Sequence, residues 1–183
     1  MLDLDFFPFP ELKTERILLR KLKTEDAPEI FFLRSDEKVL RFIGKEPATS
    51  LKEAEDFINL VNAALISNES IIWAITLRDN PHRVIGTICF WQIEPENYSA
   101  EIGFVLHPDF WRKGIMKETI QKVLEYGFKS MKLHRVEARI SAGNIASAAT
   151  LEATGFVKEA HLKENYFFRG NFSDTIIYGQ IEK

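Results

Sequence analysis

The stretch from Ile71 to Leu106 constrains the fold more than any other part of this chain of 183 residues. It contains three extended apolar runs, which turn-rich pieces at residues 78–83 and 94–99 separate. The runs are Ile71 to Leu77, Val84 to Ile93 and Ala100 to Leu106. Because short turns join neighbouring antiparallel strands, this pattern predicts an antiparallel meander.

Helical and extended patterns surround this meander. One strand is predicted at Arg16 to Leu22, another at Arg135 to Ser141, and a closing hairpin around Arg169–Gly170. Four helices are predicted, namely from Thr24 to about residues 35–38, onward from Ser50, from Gly114 to Met131, and from Ala146 to Thr154. We therefore expect one α+β domain with a mixed central sheet of about seven strands flanked by four helices.

The composition excludes several functional classes. Apolar residues make up 45% and charged residues 28% of the chain, as in an average globular protein. The 24 basic and 27 acidic side chains argue against a nucleic-acid-binding protein. No uncharged stretch approaches the roughly 20 residues of a membrane span, and the acidic N-terminus is unlike a secretory signal. The single cysteine, Cys89, cannot form an internal disulfide, so we expect a soluble protein of the reducing cytoplasm.

The segment from His107 to Lys117 is the most informative candidate binding site. It leads from a predicted strand through a loop into the long helix that begins near Gly114. The first amide groups of a helix lack partners within the helix and carry partial positive charge, so they attract anions. Gly114 lets a ligand approach the backbone, and Arg112, Lys113 and Lys117 add formal charge. The segment can therefore hold a pyrophosphate; an ordinary solvated loop is the alternative.

Four short motifs occur in order along most of the chain. They are Thr14–Arg20, Ser99–Leu106, Trp111–Met116 and Asn144–Ser147, the last followed by Leu151, Gly155 and Phe156. Together they resemble the GNAT acetyltransferases, and most closely the RimJ/RimL-like branch. The resemblance extends from Thr14 to the hairpin at Arg169–Gly170, which predicts a GNAT domain at residues 14–183 preceded by an N-terminal aromatic extension at residues 1–13.

The resemblance implies acetyl-CoA as the co-substrate. It places the pyrophosphate on the amides of the loop and the helix start, and the pantetheine arm along the preceding strand. The residues implied are Trp111, Arg112, Lys113, Gly114, Ile115, Met116 and Lys117 for the loop, and Phe104, Val105 and Leu106 for the strand. Asn144 would bind the pantetheine arm, and Ser147 would lie near the sulfur. Met116 stands where the family has a small residue, so it must turn towards the face of Ile120.

Transfer of an acetyl group to an amine requires a neutral nucleophile and a proton for the departing thiolate. The resemblance implies Glu101 as the general base. An ordinary glutamate has a pKa of about 4.3 and is a poor base, so Glu101 would need a raised pKa or a relay through a water molecule. The alternative is a solvated carboxylate or a partner for an arginine. Ser147 is the favoured acid, because Leu151 stands where many relatives have a tyrosine; helix capping is its alternative. Tyr166 and water are other candidate acids, and Glu137 could also face the site.

The predicted reaction is direct attack of a primary amine on acetyl-CoA in a ternary complex. A protein N-terminal amino group is the first-choice acceptor, because its pKa of about 7.7–8.0 is lower than the value near 10.4 of a lysine. The alternatives are a small amine, such as a polyamine, amino acid or drug, and a catalytically degenerate CoA-binding module. No metal, nucleic acid or membrane is expected to take part. The cluster of Phe6, Phe7 and Phe9 either packs onto the domain or covers a partner, so a homodimer is possible.

Overall fold

Eight strands form a single mixed sheet in the computed structural model, which describes residues 1–182. They are β1 (Leu12–Lys13), β2 (Ile17–Lys21), β3 (Ile71–Leu77), β4 (Asn80–Glu94), β5 (Ser99–Leu106), β6 (Arg135–Ser141), β7 (Val157–Phe168) and β8 (Asn171–Ile181). Their order is β1-β2-β3-β4-β5-β6-β8-β7, and every neighbouring pair is antiparallel except β5 and β6. The predicted α+β class and meander are confirmed, and the two-residue β1 is the additional strand.

Five α-helices occur in residues 1–182. They are α1 (Ala27–Ser35), α2 (Glu37–Leu40), α3 (Leu51–Ile66), α4 (Ile115–Lys129) and α5 (Ile145–Glu152). Four correspond to the predicted helices, and α2 is a further turn that forms because the Asp36 side chain accepts a hydrogen bond from the Val39 N–H at 3.0 Å. No helix in this part of the chain is long and apolar enough to cross a membrane.

Different helices cover the two faces of the sheet. Successive residues of a strand point to opposite faces, so Trp73 lies in the larger apolar cluster with Ile120 and Val123 of α4. Its neighbour Ala74 lies in the smaller cluster with Ile58 of α3. Each fully buried valine or isoleucine contributes about 1.5–3 kcal/mol relative to exposure. A slip of one residue in a central strand would exchange the two clusters, so this packing fixes the register on which the site depends.

The N-terminal aromatic segment packs onto the domain. Phe6 is 1% exposed, and the Phe9 ring meets the Trp73 ring edge-on with centroids 6.3 Å apart. The Trp73 indole N–H also donates to the Pro10 carbonyl at 2.8 Å. Packing onto the domain is therefore correct for Phe6 and Phe9, whereas Phe7 is exposed. The homodimer and the domain boundary after residue 13 stay predictions.

The beginning of α1 differs from the prediction. The sequence favours Thr24 as the helix N-cap, but a 3-10 turn starts there and precedes α1. Asp26, which the sequence places in the first helical turn, is 3% exposed. Its carboxylate accepts hydrogen bonds from the Arg20 guanidinium at 2.7 and 2.8 Å and from the Lys23 N–H at 2.8 Å. Asp26 is thus a buried ionic partner of β2.

Candidate active site

The strands β5 and β6 diverge in the middle of the sheet. Their parallel pairing covers residues 99–101 of β5 and 135–137 of β6. β5 nevertheless continues to Leu106 and β6 to Ser141. In the described residues, the second half of β5 therefore pairs with β4 but not with β6. We call this opening, between residues 102–106 and 138–141, the strand gap; the backbone groups that face it can bind a ligand.

Two of the three predicted strand residues direct backbone groups into the strand gap. A Cβ atom at Gly86 of β4 would lie 2.4 Å from the Val105 carbonyl oxygen, so Val105 points its backbone at β4. Because backbone groups of successive strand residues point to opposite sides, those of Phe104 and Leu106 point away from β4. The Leu106 carbonyl accepts a hydrogen bond from the Trp111 indole at 2.7 Å. Both backbone groups of Phe104 and the Leu106 N–H thus face the gap.

The predicted phosphate loop, residues 111–117, begins as an exposed cationic turn. Arg112 and Gly114 have left-handed backbones, with φ of 60° and 74°. A Cβ at Gly114 would find only the Arg16 guanidinium within 4 Å among the described residues, at 3.5 Å. The left-handed conformation, rather than crowding, therefore favours glycine here. The first amides of α4 lie next to the exposed side chains of Arg112, Lys113 and Lys117.

The next two residues of the phosphate loop turn inward. Ile115 is 4% exposed, and Met116 is half-buried against the larger apolar cluster, which contains Ile120. The predicted orientation of Met116 is confirmed. Any contact of Ile115 and Met116 with a phosphate would therefore be made by their backbone N–H groups.

Glu101 is a buried carboxylate where β5 and β6 part. It is 8% exposed and, by the alternation of the strand, shares a sheet face with Val105. The Arg139 Nε of β6 lies 3.4 Å from Glu101 Oε2, and the Arg139 side chain is 49% exposed. Burial raises the pKa of Glu101, while Arg139 opposes this shift and the Glu137 carboxylate reinforces it. Glu101 thus is a partner for an arginine, as its alternative reading held, and also has the raised pKa that a general base needs.

Two residues of β4 complete the surroundings of Glu101. Trp91 lies opposite Glu101 in the β4–β5 pairing, and its side chain opposes the rise in the pKa of Glu101. The Cys89 thiol donates to the Gly103 carbonyl at 3.5 Å. Burial raises the pKa of Cys89 to about 12, so the thiol stays neutral and is no nucleophile near neutral pH. In residues 1–182, no group of three or more His, Cys, Asp or Glu side chains could hold a metal ion.

Charged side chains alternate along the same face of β6. Arg135 binds Glu137 at 3.0 Å and Glu159 of β7, also at 3.0 Å. Arg139 lies 3.7 Å from Glu137 and thereby links this group to Glu101. Of these residues, only Glu137 is a candidate site residue from the sequence. The spacing of Arg135, Glu137 and Arg139 at every second residue was the signal that could have revealed a charged strand face.

Asn144, rather than Ser147, caps α5. The Asn144 side-chain oxygen accepts a hydrogen bond from the Ser147 N–H at 3.1 Å, which leaves the amide nitrogen of Asn144 as a donor. Both residues are half-buried and follow the end of β6. Leu151 is fully buried in the apolar core. The Tyr166 hydroxyl donates to the Gly44 carbonyl at 2.6 Å, so it is already engaged.

The loop between α2 and α3 contacts both the closing hairpin and the end of β6. Arg169 Nε in the hairpin turn donates to Glu46 Oε1 at 3.0 Å. A Cβ at Gly143, just after β6, would lie 3.3 Å from the Phe42 ring. The α2–α3 loop and the closing hairpin are therefore neighbours, and the loop also reaches the residues just after β6.

Known proteins share the sequence pattern of this chain. A family model described as an acetyltransferase (GNAT) domain matches residues 16–157. The chain belongs to the GNAT acetyltransferase family. It is 35% identical to the uncharacterized N-acetyltransferase YoaA of Bacillus subtilis, over 95% of this chain and 98% of YoaA. The predicted enzyme class is confirmed, and acetyl-CoA is the co-substrate.

Two solved acetyltransferases have the same fold. RimL, a ribosomal-protein alpha-N-acetyltransferase in complex with coenzyme A, has a TM-score of 0.85 at 20% identity, covering 94% of this chain and 98% of RimL. The spermidine N-acetyltransferase of Vibrio cholerae, in complex with CoA and spermine, has a TM-score of 0.81 at 24% identity, covering 92% and 96%. The fold is thus common to enzymes that act on different amines.

Proposed function

We propose that this acetyltransferase acts on the α-amino group of a peptide or protein N-terminus, in the manner of the RimJ/RimL-like branch. Glu101 carries the proposal, because it is a buried carboxylate with a raised pKa at the opening of the strand gap. An α-amino group, with a pKa of about 7.7–8.0, loses its proton more readily than an alkyl amine near 10.4. A single carboxylate whose pKa is raised is matched to the weaker of these two bases.

The strand gap and the phosphate loop fit acetyl-CoA. The first amides of α4 and the cations of the phosphate loop would hold the pyrophosphate. The backbone of Phe104 and the free amide nitrogen of Asn144 would bind the pantetheine arm from opposite sides of the gap. When bound, acetyl-CoA supplies the thioester carbonyl that the amine attacks. The Leu106 N–H, which faces the gap, is the donor suited to the charge that develops on the carbonyl oxygen.

Glu101 and Ser147 would move the protons. Glu101 takes a proton from the incoming ammonium group, directly or through a water molecule, and its own charge is then neutralised in a buried place. Ser147 is our proposed donor to the thiolate. Tyr166 is less suited, because its hydroxyl donates to the Gly44 carbonyl. A thiol has a pKa near 8.5 and leaves readily, so the demand on this acid is small.

The guanidinium beside Glu101 favours a peptide over a polyamine. Arg139 is half-exposed there, whereas the Glu137 carboxylate is already paired with Arg135 and Arg139. Arg139 would therefore repel the further positive charges of a polyamine. A peptide N-terminus brings one positive charge, and its backbone carbonyls can accept hydrogen bonds from Arg139.

The acceptor is tested by measuring CoA release with a panel of N-terminal peptides, free amino acids and spermidine. We expect the highest kcat/KM for peptides with a free α-amino group, and none for the same peptides blocked at that group. A higher kcat/KM for spermidine would overturn the proposed acceptor. Binding of acetyl-CoA without transfer to any amine would instead favour the degenerate CoA-binding module.

The base is tested by the Glu101→Gln variant, which keeps the shape of the side chain but cannot accept the proton. We expect kcat to fall by roughly 10²–10⁴-fold, as for loss of a general base. The dissociation constant for CoA should stay the same, because Glu101 lies outside the phosphate loop. Glu96→Gln, in the exposed turn before β5, is the matched control. An unchanged kcat in Glu101→Gln would exclude Glu101 as the base.

A further inference from the structure

The turn between β1 and β2 contacts the phosphate loop from the side. Arg16 Nη1 donates to the Lys113 carbonyl at 3.0 Å, and Arg16 Nε donates to Glu118 Oε2 at 2.8 Å. The Thr14 hydroxyl donates to Glu118 Oε1 at 2.5 Å, and the Arg16 backbone N–H donates to the same oxygen at 3.2 Å. Thus one arginine holds both a carbonyl of the loop and a carboxylate of the first part of α4.

The bond to the Lys113 carbonyl fixes one peptide plane of the phosphate loop. In a planar trans peptide, the C=O and the following N–H point in opposite directions. Because the Lys113 carbonyl points at Arg16, the Gly114 N–H points away from Arg16. The residues on either side of Lys113, Arg112 and Gly114, both have positive φ, a conformation that costs energy at Arg112. A contact from outside the loop is therefore needed to keep this peptide in one orientation.

The ion pair between Arg16 and Glu118 controls the charge beside the phosphate loop. An anionic side chain in the first turns of α4 would repel a pyrophosphate at the helix start. Although partial burial opposes it, the hydrogen bonds from Thr14 and Arg16 lower the pKa of Glu118, so it is ionised near neutral pH. Arg16 neutralises this charge at 2.6 Å, and the loop keeps the cations Arg112 and Lys113 for a ligand.

We propose that Arg16 is a positioning residue for the pyrophosphate end of acetyl-CoA, acting through the Lys113 carbonyl and the Glu118 carboxylate. It orients the Gly114 N–H and cancels the one negative charge that the first turns of α4 would otherwise present to phosphates. This inference rests on the proposed binding of the pyrophosphate at residues 111–117. Arg16 lies far in sequence from the phosphate loop, which otherwise is a local motif.

The experiment measures the dissociation constant for CoA by titration calorimetry. In Arg16→Ala we expect it to rise roughly tenfold or more, as for loss of a hydrogen bond to a charged group. Arg16→Lys, which keeps the charge but not the two-sided geometry, should recover part of the affinity. Arg78→Ala is the matched control: Arg78 donates to the Thr14 and Glu15 carbonyls of the same turn, and its CoA affinity should be unchanged.

A second readout separates positioning from general stability. Acetyl-pantetheine lacks the pyrophosphate, so its kcat/KM should be the same in Arg16→Ala and in the wild type. An equal loss for acetyl-pantetheine and acetyl-CoA would show a merely structural role and overturn the inference. In the Arg16→Ala/Glu118→Gln double variant, CoA affinity should be partly restored, because the unpaired carboxylate is gone.

Failure of the pyrophosphate site and failure of the role of Arg16 give different results. If the wild type does not bind CoA more tightly than pantetheine, the pyrophosphate site itself is wrong. If it does, and Arg16→Ala binds CoA as tightly as the wild type, only the role of Arg16 is wrong. Should Arg16→Ala fail to fold, the same comparison between CoA and pantetheine is made with Arg16→Lys.

Discussion

Asp26 and Glu101 are both buried carboxylates, but their ionic partners differ. Asp26 accepts two hydrogen bonds from Arg20, and both side chains of that pair are almost fully buried. The Lys23 N–H adds a third bond. Glu101 has its arginine at 3.4 Å, and the guanidinium of Arg139 is half-exposed.

The difference separates a structural carboxylate from one suited to proton transfer. Burial of a charge costs several kcal/mol, and only close pairing with good hydrogen bonds offsets that cost. Asp26 has this pairing, which offsets the cost of its burial. Glu101 is paired only in part, and binding a proton would remove the remaining cost of burying its negative charge. Burial alone therefore does not distinguish the two carboxylates; incomplete pairing beside an opening is what suits Glu101 to the proposed role of general base.

The largest effect is expected from breaking the complete pair. Asp26→Ala leaves the Arg20 charge buried without its partner, which should lower the free energy of unfolding by about 3–5 kcal/mol. Urea denaturation measures this loss, with Glu25→Ala at the exposed neighbouring position as the control. The kcat of the folded fraction should not change. A loss below about 1 kcal/mol would mean that the Arg20–Asp26 pair resembles a surface ion pair.

The parts of the fold that were predictable depend on neighbours along the chain. The extended apolar runs between Ile71 and Leu106 and the helical period after Gly114 are local patterns. Three strands and the helix formed there, although β4 begins at Asn80, within the turn predicted at residues 78–83. The phosphate loop is likewise one continuous segment. By contrast, β1 has only two residues, too few for any periodicity, and it exists because Leu12 pairs with Leu19 of β2.

The missed residues share a dependence on contacts between distant parts of the chain. Arg139 meets Glu101 only because the parallel register pairs Glu101 with Glu137, and a whole helix separates the two strands. Arg16 contacts Glu118 across 102 positions. No spacing rule covers such pairs, so sequence reasoning could propose Glu101 as a base but could not predict how it is paired.

A smaller effect is expected from removing the partial partner of Glu101. Arg139 lowers the pKa of Glu101, so Arg139→Gln should raise that pKa further. Because Glu101 must be deprotonated to act as a base, the acidic limb of kcat/KM against pH should move to higher pH. Arg139→Lys keeps the charge and should leave the limb close to its wild-type position. A limb that stays in place in Arg139→Gln would show that Arg139 does not control the base.

The smallest effect is the pH dependence of stability, and here two carboxylates should differ in sign. The folded-state pKa of Glu101 is raised, so the folded protein binds more protons at this site than the unfolded chain does. Its contribution is fully present below the ordinary glutamate pKa of about 4.3 and is lost as pH rises through the folded value. Relative to Glu101→Gln, the wild type should therefore lose stability as pH rises.

Glu118 gives the opposite sign. Partial burial tends to raise the pKa of Glu118, but the hydrogen bonds from Thr14 and Arg16 outweigh it, and the pKa in the folded protein is lowered. The contribution of Glu118 to stability is therefore present above about pH 4.3 and is lost as pH falls through the folded-state pKa. Relative to Glu118→Gln, the wild type should gain stability as pH rises over that range. Urea denaturation of the wild type, Glu101→Gln and Glu118→Gln measures both slopes. The measurements run from about pH 3 to about pH 8, a range that includes the ordinary glutamate pKa of about 4.3. Slopes of the same sign would mean that Glu101 is as well paired as Glu118. The contrast between a completely paired and an incompletely paired carboxylate would then not hold at the strand gap.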